Sequence, residues 1–183
     1  MTSLPLVLQA PLAALVIIAG VYDILYRRIP NWLVLPGFLL GLALNAVLGS
    51  TYSPGLAESG LGVGLAFLIY FPLYLLRGMG AGDVKLMAAV AALVGWKNWL
   101  IIFIFSGILG GVLAVIIILT KGRFRKTIYN VGYILWELGH MRPPRLSSEE
   151  LDVRSPKAVT LPHGAVIALA CLFFLGGGLV LGR

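Results

Sequence analysis

The chain has 183 residues, of which 60% are hydrophobic and 11% charged, with a formal net charge of +7. Soluble domains carry about 25% charged residues, so this balance points to an integral membrane protein rather than a water-soluble one. The positive charge does not read as a nucleic-acid surface, because nearly all Lys and Arg fall between apolar runs, where cytoplasmic loops carry them.

Crossing the hydrocarbon core takes about 20 apolar residues. Spans are predicted at 4–23, 32–50, 57–76, 84–96, 99–119 and 161–181. The first run has no basic residue ahead of it and reads as a retained helix, not a cleaved signal. The expected fold class is therefore all-α: a polytopic membrane protein of about six transmembrane helices, forming a single membrane-embedded domain over 1–183. Loops 24–31, 77–83 and 120–160, with their edges, hold 12 of the 14 basic residues, leaving Lys97 and Arg183 for the other face. The positive-inside rule puts those loops in the cytoplasm and both termini on the non-cytoplasmic side.

The first span ends on Asp23, one turn before Arg27 and Arg28, and so about 6 Å inward of them. Pro30 cannot continue a helix, and Asn31 is a natural N-cap for the second span. Between the third and fourth spans lies Arg77-Gly-Met-Gly-Ala-Gly-Asp-Val-Lys85. Its glycines Gly78, Gly80 and Gly82 suit positive φ and close approach to a peptide or a second helix. The fourth span, Val84–Gly95, covers only about 18 Å of a roughly 30 Å core. If Trp96-Lys97-Asn98-Trp99 anchors its outer end at the interface, Asp83 lies below the membrane surface. Irregular backbone at that depth calls for a wet cleft. Loop 120–160 opens on a basic run and continues through Thr127–Leu138, which reads as an interfacial helix. Pro143-Pro144 and Ser147–Glu150 then look solvated, and Leu161-Pro-His-Gly164 re-enters the membrane.

Six spans bring Asp23 and Asp83 to the same membrane face. Two carboxylates in one cavity can share a proton, one acting as general base toward water and the other as acid toward a carbonyl. That is aspartic protease chemistry, needing no metal and no cofactor. Each aspartate also has a plainer reading. Asp83 could N-cap a helix starting at Val84, and Asp23 could pair with Arg27 at i,i+4. Arg77 and Lys85 suit lipid headgroups, and His163 suits a turn or packing role. The lone Cys171 lies within the last apolar run and suits packing; no CxxC pair is present to hold zinc. Neither histidine has a serine or cysteine at triad spacing, and the glycines match no phosphate-loop pattern. Two non-protease readings remain open here: a proton-coupled transporter using the aspartates as a relay, and a non-catalytic secretion scaffold.

Gly80-Ala-Gly82-Asp83-Val-Lys85, preceded by Asp23-Ile-Leu-Tyr-Arg27-Arg28-Ile-Pro30-Asn31, resembles the type IV prepilin peptidase family. Leu161-Pro162-His163-Gly164 is similar to a third, weaker feature of that family, so the resemblance runs in order along nearly the whole chain. It implies that Asp23 and Asp83 are the catalytic pair of an intramembrane aspartic endopeptidase. Such an enzyme removes the short basic leader of prepilin-like proteins at the cytoplasmic face of the inner membrane. Gly78, Gly80, Gly82 and Lys85 are the accompanying candidates for substrate binding, with the prepilin and the lipid bilayer as partners. Bifunctional members add paired CxxC motifs associated with N-methylation, which this chain lacks, so it is more similar to the short, peptidase-only members. Presenilin-type proteases share the aspartate pair but carry a Pro-Ala-Leu motif that is absent here. Oligomeric state is not legible.

Overall fold

The computed structural model describes residues 4–76, 79–120 and 161–181. The expected helix Thr127–Leu138, with the rest of loop 120–160, and Arg77 and Gly78 lie outside the described residues. Among the described residues the fold is all-helical, with no strand.

Helix α1 (Leu6–Tyr26) is rich in Leu, Ala and Ile and is stopped by Arg27, which takes left-handed backbone angles (φ 53°) and bonds its N–H to the Asp23 carbonyl. Two residues of α1 shape the site. Gly20 lets the last helix come in close, and Asp23 lies three positions on, over the same face. Pro30, extended at φ −73° and ψ 139°, redirects the chain into α2 (Asn31–Tyr52). Asn31 was expected to cap α2, but it forms no cap bond. Its Oδ1 instead accepts a hydrogen bond from Lys85 Nζ at 3.0 Å, a tie between two distant parts of the chain. Helix α3 (Gly55–Leu75) follows after Ser53-Pro54.

Helix α4 (Ala81–Thr120) is 40 residues long but is broken at Gly95, where φ is 73° and ψ 170°. Glycine alone adopts those angles without strain. The chain turns back at the break. Trp99 Nε1 donates to the Met87 carbonyl at 3.2 Å, whereas twelve residues of straight helix would separate them by about 18 Å. The two arms, 81–94 and 96–120, therefore run side by side. The break strips carbonyls of their helical partners, and α2 supplies a replacement: Asn45 Nδ2 donates to Ala92 O (2.9 Å) and Leu93 O (3.2 Å). Helix α5 (His163–Leu181) completes the described structure.

The first arm of α4 is the centre of the molecule. From Leu86 to Val94 no residue is more than 2% exposed, as expected of a helix that is apolar on every side. Its alanines let neighbours approach to backbone distance; a Cβ on Gly41 of α2 would stand 2.8 Å from the Ala92 carbonyl carbon. The enclosure explains how so short an arm is accommodated: its sides meet other helices.

Among the described residues, four helices are long and apolar enough to cross a membrane: α1, α2 as far as Gly49, α3 and α4. The apolar part of α5, His163–Gly177, is shorter. The expected spans 84–96 and 99–119 correspond to the two arms of α4, although the first arm starts three residues earlier than predicted. The reading of Trp96–Trp99 as an interfacial anchor does not hold for Asn98 and Trp99, while Trp96 is partly exposed with Lys97 over its ring. Trp99 is fully buried and stacks on Phe103 at 5.4 Å with Tyr70 edge-on at 6.3 Å, and Asn98 is buried as well. Of that quartet Lys97 faces outward, bridging to Glu58 at 2.7 Å.

Candidate active site

Asp23 is 7% exposed although it belongs to an apolar helix. Its Oδ2 accepts two backbone hydrogen bonds from the first turn of α5, from Gly164 N at 2.8 Å and Ala165 N at 3.3 Å. The first N–H groups of a helix have no partner within it and carry the positive end of its dipole, so a carboxylate is their natural acceptor. This contact depends on two close approaches. A Cβ on Gly20 would lie 2.9 Å from Ala168 Cβ, and one on Gly164 would lie 3.0 Å from Asp23 Oδ2. Small residues on both helices therefore let the start of α5 reach the carboxylate.

Asp83 lies in the first turn of α4, partly buried, with its N–H bonded to the Gly80 carbonyl at 3.2 Å. The helix begins at Ala81, so Asp83 is its third residue and not the N-cap considered from the sequence. Gly82 is likewise helical, and the open stretch among the described residues reduces to Met79 and Gly80. Neither Gly80 nor Gly82 has positive φ. What they provide is room. A Cβ on Gly82 would stand 3.1 Å from Ile29 Cβ, and one on Gly80 would stand 3.2 Å from Asp83 Oδ2.

Ile29 joins the two halves of the site. The turn between α1 and α2 places its side chain against Gly82 on one side and Gly164 on the other, where a Cβ would meet Ile29 Cδ1 at 2.8 Å. Gly82 precedes Asp83, and Gly164 bonds Asp23, so one isoleucine packs against the segment that carries Asp83 and the turn that holds Asp23. Lys85 is exposed and held by Asn31 at the rim of this end. His163, half-buried, opens α5 beside Gly110. Cys171 is buried in the core. Among the described residues no three His, Cys, Asp or Glu side chains gather as a metal-binding group.

Residues 10–115, more than half of the chain, match the model of the type IV leader peptidase family. The chain belongs to that family. Among curated proteins it is similar to a prepilin leader peptidase/N-methyltransferase of Xanthomonas campestris pv. campestris, at 33% identity over 120 residues covering 62% of this chain and 40% of the relative. The enzyme of the same name from Escherichia coli K12 is 29% identical over 136 residues, covering 66% of this chain and 60% of the relative. That of Bacillus subtilis is 35% identical over 116 residues, covering 62% and 45%. The chain thus spans between two fifths and three fifths of the length of these three type IV leader peptidase relatives. No solved structure matches it significantly.

The sequence named both aspartates but missed their setting. The α5 amides carry no side-chain signature, and Ile29 looked like one more apolar residue in a turn. The nearest signal was Pro162-His163-Gly164, since a proline just ahead of a helix marks where free amides begin.

Proposed function

We propose that this protein is an aspartic endopeptidase that removes the short basic leader of prepilin-like proteins at the cytoplasmic face of the inner membrane. The observation that supports the reading is that Ile29 packs against both Gly82, next to Asp83, and Gly164, which bonds Asp23, so two aspartates 60 residues apart in sequence share one neighbourhood in a chain of the leader peptidase family. One carboxylate takes a proton from water as it attacks the scissile carbonyl. The other donates a proton to the carbonyl oxygen; as the tetrahedral intermediate collapses, that carboxylate takes a proton back from a gem-diol hydroxyl, and the first gives the proton it took from water to the departing amine. Ile29 fills the space at Gly82, so Gly80, beside Asp83 Oδ2, is the described glycine left to border an extended substrate segment, and Lys85 stands at the rim.

In this reading α1, α2, α3, the two arms of α4 and α5 make six passes, with both termini outside and the basic loops in the cytoplasm. Arg27, Arg28 and Lys85 then share the cytoplasmic end with the aspartates, and Lys97 lies at the other. The relatives' names include N-methyltransferase. With one cysteine these 183 residues hold no CxxC pair, so the proposal takes the peptidase step alone.

The test is leader removal by the purified chain in lipid vesicles, using full-length prepilins encoded in the same genome. The expected product is a pilin shortened by its basic leader and carrying an unmethylated new N-terminus. Intact substrate across all of them would contradict the proposal.

A further inference from the structure

We infer that the first turn of α5 is a positioning element for the reaction: its Gly164 and Ala165 amides fix the Asp23 carboxylate, and residue 164 is glycine because helix and carboxylate must touch. This rests on the two-aspartate reading above.

Asp23 Oδ2 lies 2.8 Å from Gly164 N and 3.3 Å from Ala165 N, across a sequence separation of about 140 residues. The Gly164 contact has the length of a charge-assisted bond. Asp23 lies in the last turn of α1, and Arg27 ends that helix four residues on, so its own helix offers no free N–H to hold the carboxylate. The α5 turn does so from outside. Gly164 is also packed from a second direction. A Cβ there would meet Ile29 Cδ1 at 2.8 Å, Asp23 Oδ2 at 3.0 Å and Asp23 Cβ at 3.1 Å. Ile29 in turn leans on Gly82, next to Asp83. One amide pair and one isoleucine thereby tie the Asp23 carboxylate to the first turn of α4, which carries Asp83. A carboxylate oxygen engaged by two fixed donors has its orientation decided before substrate arrives, which leaves the other oxygen for the reacting groups. Such preorganisation acts on the chemical step and not on substrate capture.

Two changes test it in the full chain reconstituted in lipid, with prepilin cleavage resolved into kcat and KM. In Gly164→Ala the new methyl pushes the carboxylate off its donors. In the ester analogue, with glycolic acid incorporated in place of Gly164, the N–H is removed and no bulk is added. Both are expected to lower kcat about tenfold to a hundredfold, the scale of a hydrogen bond to a charged group, with KM within about twofold. Adding Ile29→Val to Gly164→Ala removes the Cδ1 clash alone, so kcat is expected to stay low. Wild-type kcat in the ester analogue, a loss confined to KM, or recovery on adding Ile29→Val would each overturn the inference. Asp23→Asn run in parallel separates the two claims. If Asp23→Asn is inactive while the ester analogue has wild-type kcat, only the positioning role fails. If Asp23→Asn cleaves normally, the two-aspartate reading itself is wrong, and the positioning role falls with it.

Discussion

At the scale of single residues, the site is made by what its glycines leave out. Gly82 has ordinary helical backbone, and its lack of a side chain allows Ile29 Cβ to come within 3.1 Å of where a Cβ would stand. Gly82→Ala therefore forces either the Ile29 turn or the first turn of α4 to move by a few tenths of an ångström, and Asp83 moves with it. Misplacement of a catalytic group by such amounts is costly, so cleavage by Gly82→Ala is expected to fall about tenfold or more. A leader-cleavage rate equal to wild type would show that Asp83 does not depend on this contact. The sequence made both aspartates legible because a carboxylate in so apolar a chain stands out. It gave a partly wrong reason for the glycines, since positive φ and close approach both favour glycine and only coordinates distinguish them. Asn31 was misread for a related reason. A cap and a long-range partner call for the same side chain, and Lys85 is 54 residues away.

At the scale of elements, α4 decides the architecture. Its break at Gly95 combines angles reserved for glycine with a wall of neighbours, because a Cβ there would lie 2.7 Å from Pro54 Cβ. Gly95→Ala is expected to lower stability by about 1–3 kcal/mol for the backbone strain alone. The check is thermal unfolding in detergent micelles, and an unchanged midpoint would contradict this account of the break. The short, alanine-rich 84–95 stretch was readable as unusual, and its length suggested a shallow segment beside a wet cleft. Its position at the centre of the bundle was not readable, because hydrophobicity on all sides fits lipid and protein surroundings equally well. The same ambiguity misplaced Trp99. A tryptophan beside Lys and Asn fits a membrane interface, yet here the indole N–H is spent on the Met87 carbonyl inside the hairpin.

At the scale of the whole molecule, the fold has two distinct ends. One gathers Asp23, Ile29, Gly82 and Gly164, with Arg27, Arg28 and Lys85 nearby; the other holds Pro54, Gly95 and the Glu58–Lys97 bridge. Of the basic residues, Arg27, Arg28 and Lys85 fall at the first end and Lys97 at the second, the sides the charge reading expected for these four. The contribution of α5 was the least foreseeable part, because its contacts with α1 join the two extremes of the chain. For the proposed orientation, a cysteine at exposed position 97 in a Cys171→Ser background is expected to react with a membrane-impermeant maleimide added to intact cells. One at exposed position 28 is expected to react only after the cells are opened. The reverse pattern would place the aspartates on the outer face and rule out a cytoplasmic cleavage site.

The central claim is that Asp23 and Asp83 act together on a peptide bond. The most direct measurement is prepilin leader cleavage by Asp23→Asn and Asp83→Asn beside the wild type, all purified and reconstituted in the same lipid. Asparagine keeps the size of the side chain and retains an acceptor for the Gly164 amide, but it neither takes nor gives the required proton. Each variant is expected to stay folded and to lose cleavage by at least about a hundredfold, since removing a general acid or base costs about 10²–10⁴ in rate. Full leader removal by either folded variant would contradict the account.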